Sequence, residues 1–195
     1  MDYMQELLKY VKTKKQKIFF DELQKGDFLK EADQYEAWDE VKFDREAICP
    51  ISYEVTLEDL IDYSEGALDT NPLLVDEAYA KKSVFGKIIP HPTIATVIEF
   101  FCLRGGMGDW IRTPGSRNPG HRYEFYEPLE VGDVIRIKMK PYDRWIKRQK
   151  YYLTYQMDFI DQNDKIKMTH WCTLILPKTR ADLARFMKGE HALDA

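Results

Sequence analysis

The sequence predicts an α+β fold in which a long antiparallel sheet wraps one buried helix, and three observations carry that expectation. The stretch TIATVIEFFCL at 93–103 has helical length and is apolar almost all round. Beyond it the period changes to two. Ile135, Ile137 and Met139 alternate with Arg136, Lys138 and Lys140, and Tyr151, Leu153, Tyr155, Met157 and Phe159 alternate with Tyr152, Thr154, Gln156 and Asp158. The turn Asp161-Gln162-Asn163-Asp164 joins the second of these runs to a partner from about Lys165 to Leu176, which makes the strands antiparallel. A helix without a polar face needs cover on all sides, and a wrapping sheet supplies it.

The other elements follow in order. Tyr3, Met4, Leu7, Leu8 and Val11 recur at helical spacing from Asp2 to about Val11, and Lys12, Lys14, Lys15 and Lys17 read as the solvated basic end of that helix. From Ile18 to Pro50 periodicity is poor, with a strand-edge turn expected around Gly26. Thr56 can cap a helix carrying Leu57, Leu60, Ile61 and Ser64 on one face and Glu58 and Asp59 in its first turn; Gly66 marks its end. A second helix can run from Asp76 through Lys82. After Gly86, Pro90-His91-Pro92 leads into the central helix, GGMGDW stops it, and RTPGSRNPGHR reads as a polar loop. RADLARFMKG is a closing helix after Pro177.

At 195 residues with a net charge of -4, one packed domain is expected and bulk nucleic-acid binding is not. Cys49, Cys102 and Cys172 are odd in number and far apart, so they read as reduced, mostly buried thiols of a cytoplasmic protein, with no disulfide framework and no metal site suggested by their spacing. No apolar run approaches the roughly 20 residues of a membrane span. The start MDYMQELLKYVKTKK carries acidic residues and lacks a signal-peptide apolar core, so export is not expected either.

YSEGALDTNPLLVDEAYAKK at 63–82 resembles the signature of MaoC-like (R)-specific enoyl-CoA hydratases and 3-hydroxyacyl dehydratases. That signature runs from an aromatic residue through Asp-x-Asn-Pro-x-His to x-Asp and Ala, and Tyr63, Asp69, Asn71, Pro72, Asp76 and Ala80 fit its order. Phe85-Gly86 through His91 resembles the family's lead into its central helix. PLEVGDVI, with Pro128, Gly132 and Asp133, resembles the opening of its second strand run, and FDELQKGD its first strand and turn. The resemblance spans about Phe19 to Leu176. It implies a hotdog fold over 19–177, flanked by an N-terminal helical extension at 1–18 and a C-terminal helix and tail at 178–195. It also implies a lyase acting on an enoyl- or 3-hydroxyacyl-thioester of CoA or acyl carrier protein, with no other cofactor, assembled as a homodimer or a hotdog heterodimer.

Hydration of an enoyl thioester needs groups that hold and deprotonate water, and N–H donors that polarise the carbonyl. The resemblance places Asp69 as the acidic partner, Asn71 as support for its turn and His91 at the head of the central helix. It also exposes two departures at the substrate-binding positions. The family's histidine is Leu74, which can neither take a proton nor orient water. The glycine after His91 is Pro92, which has no N–H, so Thr93 is left to supply a donor. The residues alone leave both roles open: Asp69 can instead cap a turn, and His91 can be a buried ring bonded to a carbonyl. Arg112, Arg117, Arg122, Arg144, Lys147 and Arg148 are candidates for the CoA phosphates or plain surface charge. His121, His170 and His191 have weaker claims; His170 shares a strand face with Met168 and Cys172 and reads as packed.

GGMGDW resembles phosphate-binding glycine loops but follows a helix, and no GxSxG, Walker or HExxH motif is present. A hotdog thioesterase remains open. The leading expectation is a hydratase/dehydratase of modified site; the alternative is a non-catalytic acyl-thioester-binding subunit beside a complete partner.

Overall fold

The computed structural model describes residues 3–25, 35–105 and 110–190. The turn expected around Gly26, residues 106–109 of GGMGDW and His191 lie outside them.

The chain opens with two helices, α1 (Tyr3–Leu8) and α2 (Lys14–Lys25). The lysine run therefore opens a helix and does not close one. Thr13 and Gln16 cause this through a reciprocal cap: the Gln16 N–H donates to Thr13 Oγ1 at 3.2 Å and the Thr13 N–H to Gln16 Oε1 at 3.0 Å. The basic charge is matched from the helix opposite, Lys15 reaching Asp59 at 2.5 Å and Lys12 reaching Asp62 at 2.8 Å. The first strand expected at FDELQKGD is likewise helical from Phe20 to Lys25.

Short strands β1 (Ala47–Ile48) and β2 (Tyr53–Glu54) lead to α3 (Leu57–Gly66), whose capping box joins Thr56 and Asp59 as the sequence predicts. α4 (Pro72–Val75) was not foreseen, and α5 (Glu77–Ala80) is shorter than expected because Asp76 is its cap. Gly86 sits at φ +67, which breaks the chain direction before α6 (Ile94–Cys102).

Four long strands follow: β3 (Arg117–Phe125), β4 (Val134–Lys147), β5 (Lys150–Ile160) and β6 (Ile166–Leu176), and α7 (Arg180–Met187) closes the chain. The strand order is β1-β4-β5-β6-β3, with β2 also paired to β4, and every pairing is antiparallel. RTPGSRNPGHR is a loop only up to Ser116; from Arg117 it is β3. An end strand keeps one edge free of ladder bonds, so it tolerates Pro119, and the register shift between Arg117 and Gly120 spans that proline. Arg148 and Gln149 take φ of 49 and 58 in the two-residue β4–β5 turn, the conformation whose twist matches the strands it joins.

The period-two pattern resolves as expected: Ile135, Ile137, Met139, Leu153, Tyr155, Met157 and Phe159 are all at 0% exposure. They meet Ile94, Ala95, Ile98 and Cys102 of α6 in one core. Phe101 packs edge-on against Tyr53 and Phe19, so α2 covers the end of the central helix. Cover is not complete, because Phe100 stays 37% exposed beneath Arg112. All three cysteines are buried and unpaired, and burial pushes Cys49 and Cys172 up to about 12. Among the described residues no helix is long and apolar enough to cross a membrane.

Candidate active site

The segment between α3 and α4 is shaped by its own side chains. Asp69 Oδ1 accepts from the Asn71 N–H at 3.0 Å, and Asn71 Oδ1 accepts from the Leu73 N–H at 3.1 Å, so an Asx turn hands directly to the N-cap of α4. Pro72 at the first helical position has no N–H to leave orphaned. Asp69 thus has a structural role, and one oxygen remains for another. That oxygen, Oδ2, lies 3.5 Å from Nε2 of His91.

His91 is held from three directions. Its Nδ1 accepts from the Thr93 N–H at 3.2 Å and lies 2.8 Å from Thr93 Oγ1. A backbone N–H can only donate, so Nδ1 is the bare ring nitrogen and Nε2, the one near Asp69, carries the hydrogen. Thr93 Oγ1 is in turn 2.8 Å from the Tyr63 hydroxyl, whose ring packs at 5.5 Å on the imidazole. Tyr63 is the aromatic residue of the signature, and its hydroxyl function was not anticipated. The residue type alone was the signal, since a half-buried tyrosine needs a partner for its O–H.

The head of α6 offers few free donors. Pro92 has no N–H, the Thr93 N–H is engaged by His91 Nδ1, and the Ile94 N–H donates to the His91 carbonyl at 3.0 Å. Leu74 is buried at 4% exposure, and its N–H donates to the Asn71 carbonyl at 2.9 Å. His91, Pro92, Ile89, Phe125, Leu129 and Met168 line an apolar cavity of about 270 Å³. The structure therefore brings Asp69, His91 and Thr93 together, with Asn71 bonded to Asp69; of these His91 lines the cavity, and Asp69, Thr93 and Leu74 are not among its lining residues.

A second polar cluster flanks the same helix. Glu99, the single charged residue of the apolar stretch, is 2% exposed and its Oε2 lies 2.5 Å from Nδ1 of His170. His170 Nε2 is 2.8 Å from His121 Nδ1, and the Tyr123 ring stacks on His170 at 4.1 Å. Burial, and then the neighbouring His170, hold His121 below the usual histidine range. A carboxylate within an otherwise apolar helix is costly unless paired, and that was the available sign of this cluster.

A family model described as FAS1-like, dehydratase domain region, matches residues 45–170. Among curated proteins the chain is 30% identical over 96 residues to a UPF0336 protein of Thermobifida fusca, covering 46% of this chain and 60% of that protein. It is 23% identical over 87 residues to a 3-hydroxybutyryl-CoA dehydratase of Methylorubrum extorquens, covering 45% and 53%. The chain thus spans little more than half the length of these relatives. Solved structures of similar fold include a monoamine oxidase regulatory protein from Archaeoglobus, with a TM-score of 0.65 at 18% identity over 74% of this chain and 96% of that one. A MaoC-like dehydratase from Rhodospirillum rubrum superposes with a TM-score of 0.60 at 14% identity, over 71% and 94%. The long antiparallel sheet around α6 is a MaoC-like hotdog fold, and the match over 45–170 places this chain in the FAS1-like dehydratase domain family.

Proposed function

We propose that this chain hydrates an enoyl thioester, or dehydrates the 3-hydroxyacyl thioester, of CoA or acyl carrier protein at a dyad of Asp69 and His91. The observation that carries the reading is the 3.5 Å approach of His91 Nε2 to Asp69 Oδ2 beside an apolar cavity. The signature's carboxylate–imidazole pair, lost at Leu74, is rebuilt here from the head of α6. In the hydration direction the Nε2–H and the carboxylate hold one water. Asp69 takes its proton as the oxygen bonds to Cβ, the π pair shifts toward the carbonyl, and the proton returns to Cα. The carbonyl needs a donor, and Thr93 is the nearest, so binding substrate and holding His91 compete for the same N–H and hydroxyl.

That competition is also the observation favouring a second reading, a non-catalytic subunit that binds the acyl thioester beside a complete partner. In either case we propose a dimer. β3 ends the sheet with its outer edge unpaired among the described residues, and an open edge of this length is an invitation to pair with a second hotdog chain.

The test is the purified protein with a short enoyl-CoA, following loss of the conjugated thioester absorbance. Turnover that falls by on the order of a hundredfold in both Asp69→Asn and His91→Ala supports the dyad. Thioester binding without turnover shifts the assignment to the subunit reading, and the absence of binding overturns both.

A further inference from the structure

β6 places His170 and Cys172 two residues apart, so both point to the same face, and β3 sets His121 directly opposite Cys172. One ligand atom from each of the three lies within 4.8 Å of the others. From this geometry we propose that His121, His170 and Cys172 bind a divalent transition-metal ion of the zinc class, at a site separate from Asp69 and His91 and independent of the thioester reading.

The surroundings are those of a metal site. A ligating imidazole ordinarily gives its other ring nitrogen to a carboxylate, which fixes the tautomer and aims the free nitrogen. Glu99 does this for His170: its carboxylate is on Nδ1 at 2.5 Å, leaving Nε2 turned toward His121. The Tyr123 ring lies at 8° to the His170 plane and holds it in that orientation. Asn118 Nδ2 donates to Cys172 Sγ at 3.5 Å, which favours an electron-rich sulfur. Two nitrogens and one sulfur select zinc, cobalt and their neighbours over calcium and magnesium, which take oxygen.

The 2.8 Å between the ring nitrogens is the hydrogen bond that holds the site together without an ion. With both at the usual 2.0–2.1 Å from a tetrahedral metal they stand about 3.3 Å apart, so the rings part by about half an ångström. His121 can yield that much, because it is exposed on the end strand. On binding, His121 gives up the hydrogen on Nδ1 and takes one from solvent at its other ring nitrogen, so that it ligates as a neutral imidazole; the Cys172 thiol hydrogen leaves to solvent as a proton, and the ion takes its place. Three protein ligands leave the fourth tetrahedral position open on the His121 side, where a water or a small anionic ligand completes the shell.

The experiment uses the untagged full chain, stripped with a chelator and titrated with Co²⁺ by absorbance, then with Zn²⁺ by calorimetry. A single ion per chain, a thiolate-to-cobalt charge-transfer absorption and its loss as Zn²⁺ displaces Co²⁺ are expected. Cys172→Ser should remove that absorption, His121→Ala should abolish tight binding, and Glu99→Gln should weaken it by about tenfold or more. His121 is exposed, so its replacement leaves the fold intact, and near-ultraviolet circular dichroism checks this. Absence of binding at tens of micromolar metal overturns the proposal. So does binding that survives both His121→Ala and Cys172→Ser, or that disappears in His91→Ala instead.

Discussion

Replacing Glu99 by leucine removes the partner of a histidine at 0% exposure. The two residues meet at 2.5 Å with the carboxylate itself only 2% exposed, so water cannot take over the lost bond. An orphaned buried donor costs about 1–3 kcal/mol, and more where the partner it loses is charged. A loss of about 2–4 kcal/mol is therefore expected for Glu99→Leu, and for a chain of this size each 1 kcal/mol lowers Tm by about 2–4 °C. His170→Leu should cost a similar amount, since it strands the carboxylate. The double variant should lie closer to the parent than the sum of the two, with a coupling of at least about 1.5 kcal/mol, because an apolar pair leaves nothing unsatisfied. The assay is urea unfolding followed by tryptophan fluorescence, with chelator present so that no metal enters the balance. Additivity within about 0.5 kcal/mol would refute the reasoning.

Two further outcomes are expected. The Thr179 hydroxyl, followed by Arg185, holds the Asp182 carboxyl below the usual carboxylate range. A depressed carboxylate contributes fully above its unfolded pKa, about 3.9, and its contribution is lost as pH falls through the lower folded value. Circular dichroism and unfolding below about pH 4 should therefore show α7 weakening on acidification, and Asp182→Ala should remove that pH dependence together with about 1 kcal/mol of capping at neutral pH. Leu74→His restores the family residue, but places an imidazole where the side chain is 4% exposed. It should cost about 1–3 kcal/mol in urea unfolding and give no gain in enoyl-CoA hydration; a faster enzyme of unchanged stability would show that position 74 still faces substrate.

Much of the fold was legible because its largest elements repeat a local signal. Period-two alternation in 135–139 and 151–159 reports a buried face, on which all but Tyr151 at the start of β5 reach 0% exposure; the opposite face is less exposed than the pattern implies, since Thr154 and Asp158 are buried as well. The capping box at Thr56 and Asp59 is equally local, so its helix begins where the residues say. The Thr13 and Gln16 box is just as local, but the lysines around it dominate the composition of the segment. β3 was illegible for a different reason: Pro119 and the arginines around it describe a loop until β6 is beside them, and only then does half of their backbone pair.

At the candidate site, the resemblance to the family signature is what singles out Asp69, Asn71, His91 and Thr93, and what marks Leu74 and Pro92 as departures from the pattern. Sequence could also say that Asp69 would cap a turn, because the donor it accepts from, the Asn71 N–H, is two residues away. What only the tertiary structure decided is which distant groups meet. His91 stands beside Asp69 across 22 positions, Tyr63 reaches Thr93 across 30, and Glu99 reaches His170 across 71. Each contact is made by packing α3, α6, β3 and β6 into one core, and separations of 2.5–3.5 Å depend on where those elements come to rest. Local propensity acts over a few residues; the placement of one element on another is set by burial of the whole apolar surface, which no short stretch of the chain encodes.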